Sequence, residues 1–219
     1  MIPLPPHQPL QSSPQVLWQA PADAVLSGRA ATVLGGGWKL LLLGDGSPTR
    51  HLELLTGQAV EVELIAMAPD PNPALEAPVQ VSELVSPLLR RQVWLCCGSE
   101  TLGWAESWWT LDEAQHHLPD HRQPIWRNLT AGRTELFREV DGLAQVNSPW
   151  LQDRFGNPGP YWSRHYRFFR QGKALTVIRE VFSPALERWL GPAVPKGPPA
   201  KGWQDPGSAT PAGARQGSG

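Results

Sequence analysis

The sequence predicts an α+β domain, a mainly antiparallel β-sheet with short flanking helices. Three observations carry that expectation. Most apolar patterning repeats every second residue, the strand period. The β-rich runs are joined by tight, glycine-containing turns, as in RQVWLCCGSETLGWAESWW and YWSRHYRFFRQGKALTVIREVF. The helical stretches are short and fall between hairpins, which argues against a doubly wound parallel sheet. The domain is expected to run from residue 23 to residue 190 of the 219, long enough for one buried centre. It contains no internal repeat.

Taken in order, residues 1–22 carry six prolines and predict an extended arm pinned by Leu17 and Trp18. Ser47, Pro48 and Gly57 delimit a short helix, with a cap serine, a proline at the first helical position and a terminating glycine. In AVEVELIAM, Val60, Val62 and Leu64 alternate with Glu61 and Glu63, a strand with one wet face. The run from Arg91 to Trp109 reads as a hairpin around Gly98-Ser99-Glu100-Thr101. Thr110 stands three residues before Glu113 as in a capping box, so LDEAQHHL is a helix, stopped by Pro119. Pro124 begins another over PIWRNL. TELFREV is a strand followed by a turn at Asp141-Gly142, and the closing hairpin turns at Gln171-Gly172-Lys173. From Gly191 to residue 219 the chain has too few apolar groups to offset the entropy of ordering it, so a disordered tail is expected.

Composition narrows the functional classes. Nineteen basic against 20 acidic residues leave a net charge of -1, with no broad positive field for a phosphate backbone, so nucleic acid is not an expected partner. The N-terminus lacks the basic and apolar regions of an export signal, so no cleaved leader is expected. The most apolar stretch, Val33 to Leu43, is broken by three glycines and Lys39 and is far shorter than the roughly 20 residues of a membrane helix. Cys96 and Cys97 are adjacent and supply neither a disulfide framework nor a zinc set, in keeping with a reducing, cytoplasmic location. A monomer is the default.

Two charges stand out by parity. Arg91 shares its strand face with Val93 and Leu95, and Glu180 shares its face with Ile178 and Phe182. A buried charge is costly unless paired or used, so this arrangement suggests a pocket for a small ligand with polar ends. Simple burial remains the alternative, because the opposite faces, with Trp94, Val177 and Val181, are apolar too. A one-residue slip would exchange Arg91 for Arg90. Two helix starts, Ser47-Pro48-Thr49 and Gln123-Pro124-Ile125, present N–H groups suited to a carboxylate, although ordinary capping explains most such starts. Glu113, His117 and His121 are spaced four apart, but Pro119 interrupts the helix that a metal site would need, and none is expected. Cys96 and Cys97 point to opposite faces and read as packing residues. Gly35-Gly36-Gly37 has no phosphate-loop context, and there is no GxSxG elbow. The 11 tryptophans fill the core or cover the site.

Four ordered blocks resemble the chorismate lyase (chorismate-pyruvate lyase) family. DGSPTRHLELLTG is similar to its DGS-x-T helix start, and RRQVWLCCGSETLGWAESWW to its hairpin of an arginine, apolar residues and a Trp/Ala/Ser stretch. RQPIWRNL is similar to its short helix start, and FFRQGKALTVIREVFSP to its closing Glu-apolar-Phe-x-Pro hairpin. The RQVW and SWW wording looks most like the cyanobacterial branch, whose product feeds plastoquinone synthesis, as ubiquinone synthesis is fed elsewhere.

The resemblance implies an antiparallel sheet whose helical flaps enclose the ligand, and conversion of chorismate to 4-hydroxybenzoate and pyruvate without metal or organic cofactor. It places the family's ligand-binding arginine on Arg91, its acidic residue on Glu180, and further contacts on the Ile125 backbone and on Pro48. Pro48 has no N–H, so a backbone contact there passes to Thr49 or Ser47. Arg91 would grip a substrate carboxylate, assisted by the Ile125 helix start, while Glu180 at C4 accepts the proton or holds the hydroxyl. The same fold resembles the effector-binding domain of bacterial transcription regulators, so a non-catalytic small-ligand domain is the rival reading. Those regulators carry a helix-turn-helix, for which the arm of residues 1–22 leaves no room.

Overall fold

A computed structural model describes residues 9–30, 32–73, 77–118, 120, 123–131 and 136–194. Strands β1 (Gln15–Pro21), β2 (Val60–Pro69), β3 (Leu88–Cys97), β4 (Glu100–Thr110), β5 (Phe137–Asn147), β6 (Tyr161–Arg170) and β7 (Lys173–Phe182) form one antiparallel sheet, ordered β1-β5-β6-β7-β4-β3-β2. Two meanders, β2-β3-β4 and β5-β6-β7, are joined by pairing of β4 with β7. Their turns follow the residues available. Gly98 adopts φ +59°, and Gln171 and Gly172 adopt φ 51° and 76°, the doubly left-handed turn that suits strand twist.

Helices α1 (Ala22–Leu26), α2 (Gly36–Leu43), α3 (Pro48–Thr56), α4 (Leu111–His117), α5 (Ile125–Ala131), α6 (Pro149–Phe155) and α7 (Glu187–Leu190) pack around the sheet. In α4 the Thr110 hydroxyl accepts the Glu113 N–H, as the capping box requires. In α3 the proline start and left-handed Gly57 appear as expected, but Ser47 makes no side-chain cap, because its hydroxyl bonds Thr49 Oγ1 at 2.9 Å.

Three segments differ from the sequence expectation. The arm expected over residues 1–22 is in part sheet: Gln15–Pro21 is an edge strand on β5, where prolines are tolerated, with Trp18 edge-on to Trp162 at 5.8 Å. Leu17 pins nothing and is exposed. Asp141-Gly142 is not a turn. β5 runs through it with a bulge between Val140 and Gly142, and a side chain at Gly142 would strike the His165 ring. The expected tail is docked at its start, where Gly191 and Ala193 carbonyls accept hydrogen bonds from the Trp38 indole and the Gly35 N–H. The rest of it, and residues 1–8, lie outside the described residues.

Both sheet faces are covered at two ends. On one face, α2 and α3 set Trp38, Leu41, Leu42 and Leu52 against Val93, Leu95 and Phe182, while α4 and α5 set Ala114, Leu118 and Leu129 against Met67, Leu89, Trp109 and Ile178. On the other, α6 covers Trp94, Trp104 and Val181, and a 3-10 turn at Val79–Glu83 covers Trp108 and Val177. Among the described residues no helix is long and apolar enough to cross a membrane.

Candidate functional site

Between the helical covers of the first face, strand pairing aligns two cross-strand rows. Met67, Arg91, Ser107, Ile178 and Tyr166 form one row. Leu64, Val93, Ala105, Glu180, Arg164 and Leu143 form the next. Arg91 on β3 and Glu180 on β7 therefore face the same side with β4 between them, roughly 10 Å across two strand spacings.

All five residues singled out from the sequence line one cleft there: Arg91, Glu180, Pro48, Thr49 and Ile125. The starts of α3 and α5 converge on it from opposite sides, and Val93, Leu95, Ala105 and Ile178 form its apolar floor. The cleft is thin. Its volume is about 430 Å³, the open mouth included. A larger hollow beside Leu136, Phe137 and Phe169 is an open surface depression at the tips of the β5–β7 meander, with no buried charge.

Arg91 is 2% exposed, and its Nη2 donates to the Gln123 carbonyl at 3.1 Å, which ties β3 to the segment entering α5. Burial pushes its pKa down to about 10, opposed by Asp120, so it stays cationic at neutral pH. Arg90 points to the opposite face, which settles the register.

Glu180 is 3% exposed and already engaged: Oε2 accepts Arg164 Nε at 2.8 Å and Oε1 accepts the Tyr166 hydroxyl at 2.8 Å. Its ionic partner is Arg164, not Arg91. Arg164 also donates to the carbonyls of Leu41 (2.7 Å), Gly44 (3.0 Å) and Gly46 (3.3 Å), locking Glu180 to the α2–α3 junction. A Cβ at Gly46 would meet the His51 ring, so the glycine of DGS lets that imidazole lie against the backbone. Burial and the Glu180 charge raise the Tyr166 phenol far above its usual range, so it remains a donor. Burial, then Arg164 and Arg138, lower the His51 pKa, favouring the neutral imidazole.

Pro48 lines the wall with its ring and has no N–H to offer, whereas Thr49 is buried beside it. Arg138 completes the lining. Its guanidinium carbon lies 4.8 and 4.6 Å from the Tyr166 and Phe168 ring centroids, and it donates through Nη1 to the Asp45 carbonyl. Its buried Nε has no hydrogen-bond partner among the described residues.

Sequence reasoning missed Arg164, Tyr166, Arg138 and His51. Arg164 and Tyr166 share a face with Phe168, a signal masked by charges at His165 and Arg167 on the other parity. Of the Glu113–His117–His121 spacing, His121 lies outside the described residues, and His117 Nε2 is engaged by Glu113 at 3.1 Å and by Arg170 at 2.7 Å.

The fold matches that of the effector domain of PhnF from Mycobacterium smegmatis, with a TM-score of 0.50 and 15% identity over 66% of this chain and 92% of that one. Two relatives, each described as uncharacterized protein ycf21, come from Cyanophora paradoxa and Porphyra purpurea. The first is 29% identical over 174 residues, covering 79% of this chain and 90% of the relative. The second is 32% identical over 155 residues, covering 69% and 83%. The model of one family, chorismate pyruvate-lyase Rv2949c-like, matches residues 42–190, the stretch that holds every residue of the cleft. The chain belongs to the chorismate pyruvate-lyase Rv2949c-like family.

Proposed function

We propose that the protein is a chorismate lyase, a carbon–oxygen lyase that converts chorismate to 4-hydroxybenzoate and pyruvate in the cytoplasm as the first step toward a quinone head group. The observation that carries this reading is the cleft in which a buried cation, Arg91, and a buried carboxylate, Glu180, occupy opposite ends of one apolar floor.

The substrate's ring carboxylate binds Arg91, whose burial strengthens a charge-assisted pair, and the Ile125 helix start and Thr49 close the wall beside it. The para hydroxyl at C4 then lies toward Glu180. Each Glu180 oxygen accepts one protein hydrogen bond and keeps a lone pair for that hydroxyl or for the C4 proton. In the reaction the C4 hydrogen leaves as a proton and the C3–O bond breaks with its electron pair going to the ether oxygen. The enolpyruvate released takes a proton at its methylene and becomes pyruvate. Aromatisation of the ring supplies much of the driving force, so orientation and exclusion of water are the protein's main tasks.

Mixing purified protein with chorismate and following pyruvate and 4-hydroxybenzoate together tests this. Equimolar release well above the uncatalysed rate is expected. Tight chorismate binding without pyruvate would instead mark a non-catalytic ligand domain.

A further inference from the structure

We propose that Arg138 is a second carboxylate clamp, so that the cleft is built for a dianion. The proposal rests on the lyase reading for the identity of that dianion. Arg138 projects from β5 onto the same sheet face as Tyr166 and Phe168, and its guanidinium carbon lies 4.8 and 4.6 Å from the centroids of those two mutually perpendicular rings. One nitrogen is pinned by the Asp45 carbonyl, while the buried Nε finds no acceptor among the described residues. A buried donor left unpaired costs stability, and one carried by a residue that lines a cleft is placed to be satisfied by what enters it. The cation also sits at the correct end. Tyr166, on which it stacks, donates to Glu180, so Arg138 flanks the Glu180 end of the cleft while Arg91 marks the other.

Chorismate has two carboxylates, one on C1 and one on the enolpyruvyl group at C3, next to the C4 hydroxyl. With the C1 carboxylate on Arg91 and the hydroxyl at Glu180, the C3 substituent leaves the ring on the Glu180 side. There Arg138 Nε can pair with its carboxylate. As the C3–O electron pair moves onto the departing oxygen, the same guanidinium faces the growing negative charge. After cleavage the two carboxylates belong to separate molecules, so 4-hydroxybenzoate is held by Arg91 and Glu180 alone.

The test compares the two ligands in Arg138→Gln and Arg138→Lys. Tryptophan fluorescence or calorimetry gives the Kd for 4-hydroxybenzoate, and pyruvate release gives kcat and KM for chorismate. Arg138→Gln is expected to raise the chorismate KM about tenfold or more and to lower kcat, with the 4-hydroxybenzoate Kd within about twofold of wild type. Arg138→Lys, which keeps the charge and loses the fork, is expected to fall between them and stands in if the glutamine variant does not fold. Equal weakening of both ligands, or no change in either, overturns the clamp. Wild-type protein that neither binds nor turns over chorismate overturns the lyase reading and the clamp with it, whereas normal wild-type turnover with unchanged Arg138→Gln kinetics removes the clamp alone.

Discussion

On the cleft face of the sheet, Glu180 divides its carboxylate between Arg164 and Tyr166 and borders empty space; on the opposite face, Glu106 does the reverse and is closed in completely. Glu106 Oε2 accepts Arg90 Nε at 2.9 Å and Gln92 Nε2 at 3.2 Å, and Oε1 accepts Arg179 Nε at 2.6 Å. Both arginines stack over Trp108 and donate to the Ser13 hydroxyl, at 3.0 and 2.7 Å. Gln11, two residues earlier, exchanges backbone hydrogen bonds with the Gln92 amide. The N-terminal segment thus fills on one face the gap between covers that stays open as a cleft on the other. Buried arginine–glutamate pairs occur on both faces, so the charge pair does not define the site. The open space beside Glu180 does.

The contrast can be broken on each side. Glu106→Gln removes the buried carboxylate that Arg90 and Arg179 share and should cost about 3–5 kcal/mol of stability, read from the urea midpoint, with turnover per folded molecule unchanged. Arg91→Ala on the cleft face should lower kcat/KM for chorismate by about 10²–10³-fold while costing less stability than Glu106→Gln, although it gives up the Gln123 contact and the attraction of Asp120. A change of similar size on the unintended axis in either variant would show that the two faces do not divide stability from function.

The closed face also carries a group that responds to pH. His165 lies on the closed face, and burial, reinforced by Arg179 and Arg167, pushes its pKa down to about 4 from 6.5. The unfolded chain therefore binds a proton that the folded chain refuses between those values. Its contribution is complete above pH 6.5 and is lost as pH falls toward 4. His165→Gln should lose less stability than wild type between about pH 7.5 and about pH 4.5 by urea denaturation. Equal losses would remove His165 from the acid response.

Much of this was legible in the sequence. Period-two runs and glycine turns located the two hairpins and the strand at Val60, and parity placed Arg91 and Glu180 on one face because pairing across β4 keeps opposite residues on the same side. What stayed hidden depended on long-range pairing. The β5 bulge at Asp141 moves the inward positions from Arg138 and Val140 to Leu143, so no fixed alternation could bring Arg138 to the cleft. The docking of Ser13 and Gln11 joins residues some 80 to 166 positions apart. Arg164 acts as an anchor only once the α2–α3 carbonyls are folded over it.

The most direct measurement sets two carboxamide variants side by side, Glu180→Gln and Glu106→Gln, and follows pyruvate release from chorismate per folded molecule. Release by Glu180→Gln is expected to fall by about 10²-fold or more, and release by Glu106→Gln to match wild type. Undiminished release by Glu180→Gln, or an equal loss in both, would contradict the division between the two faces.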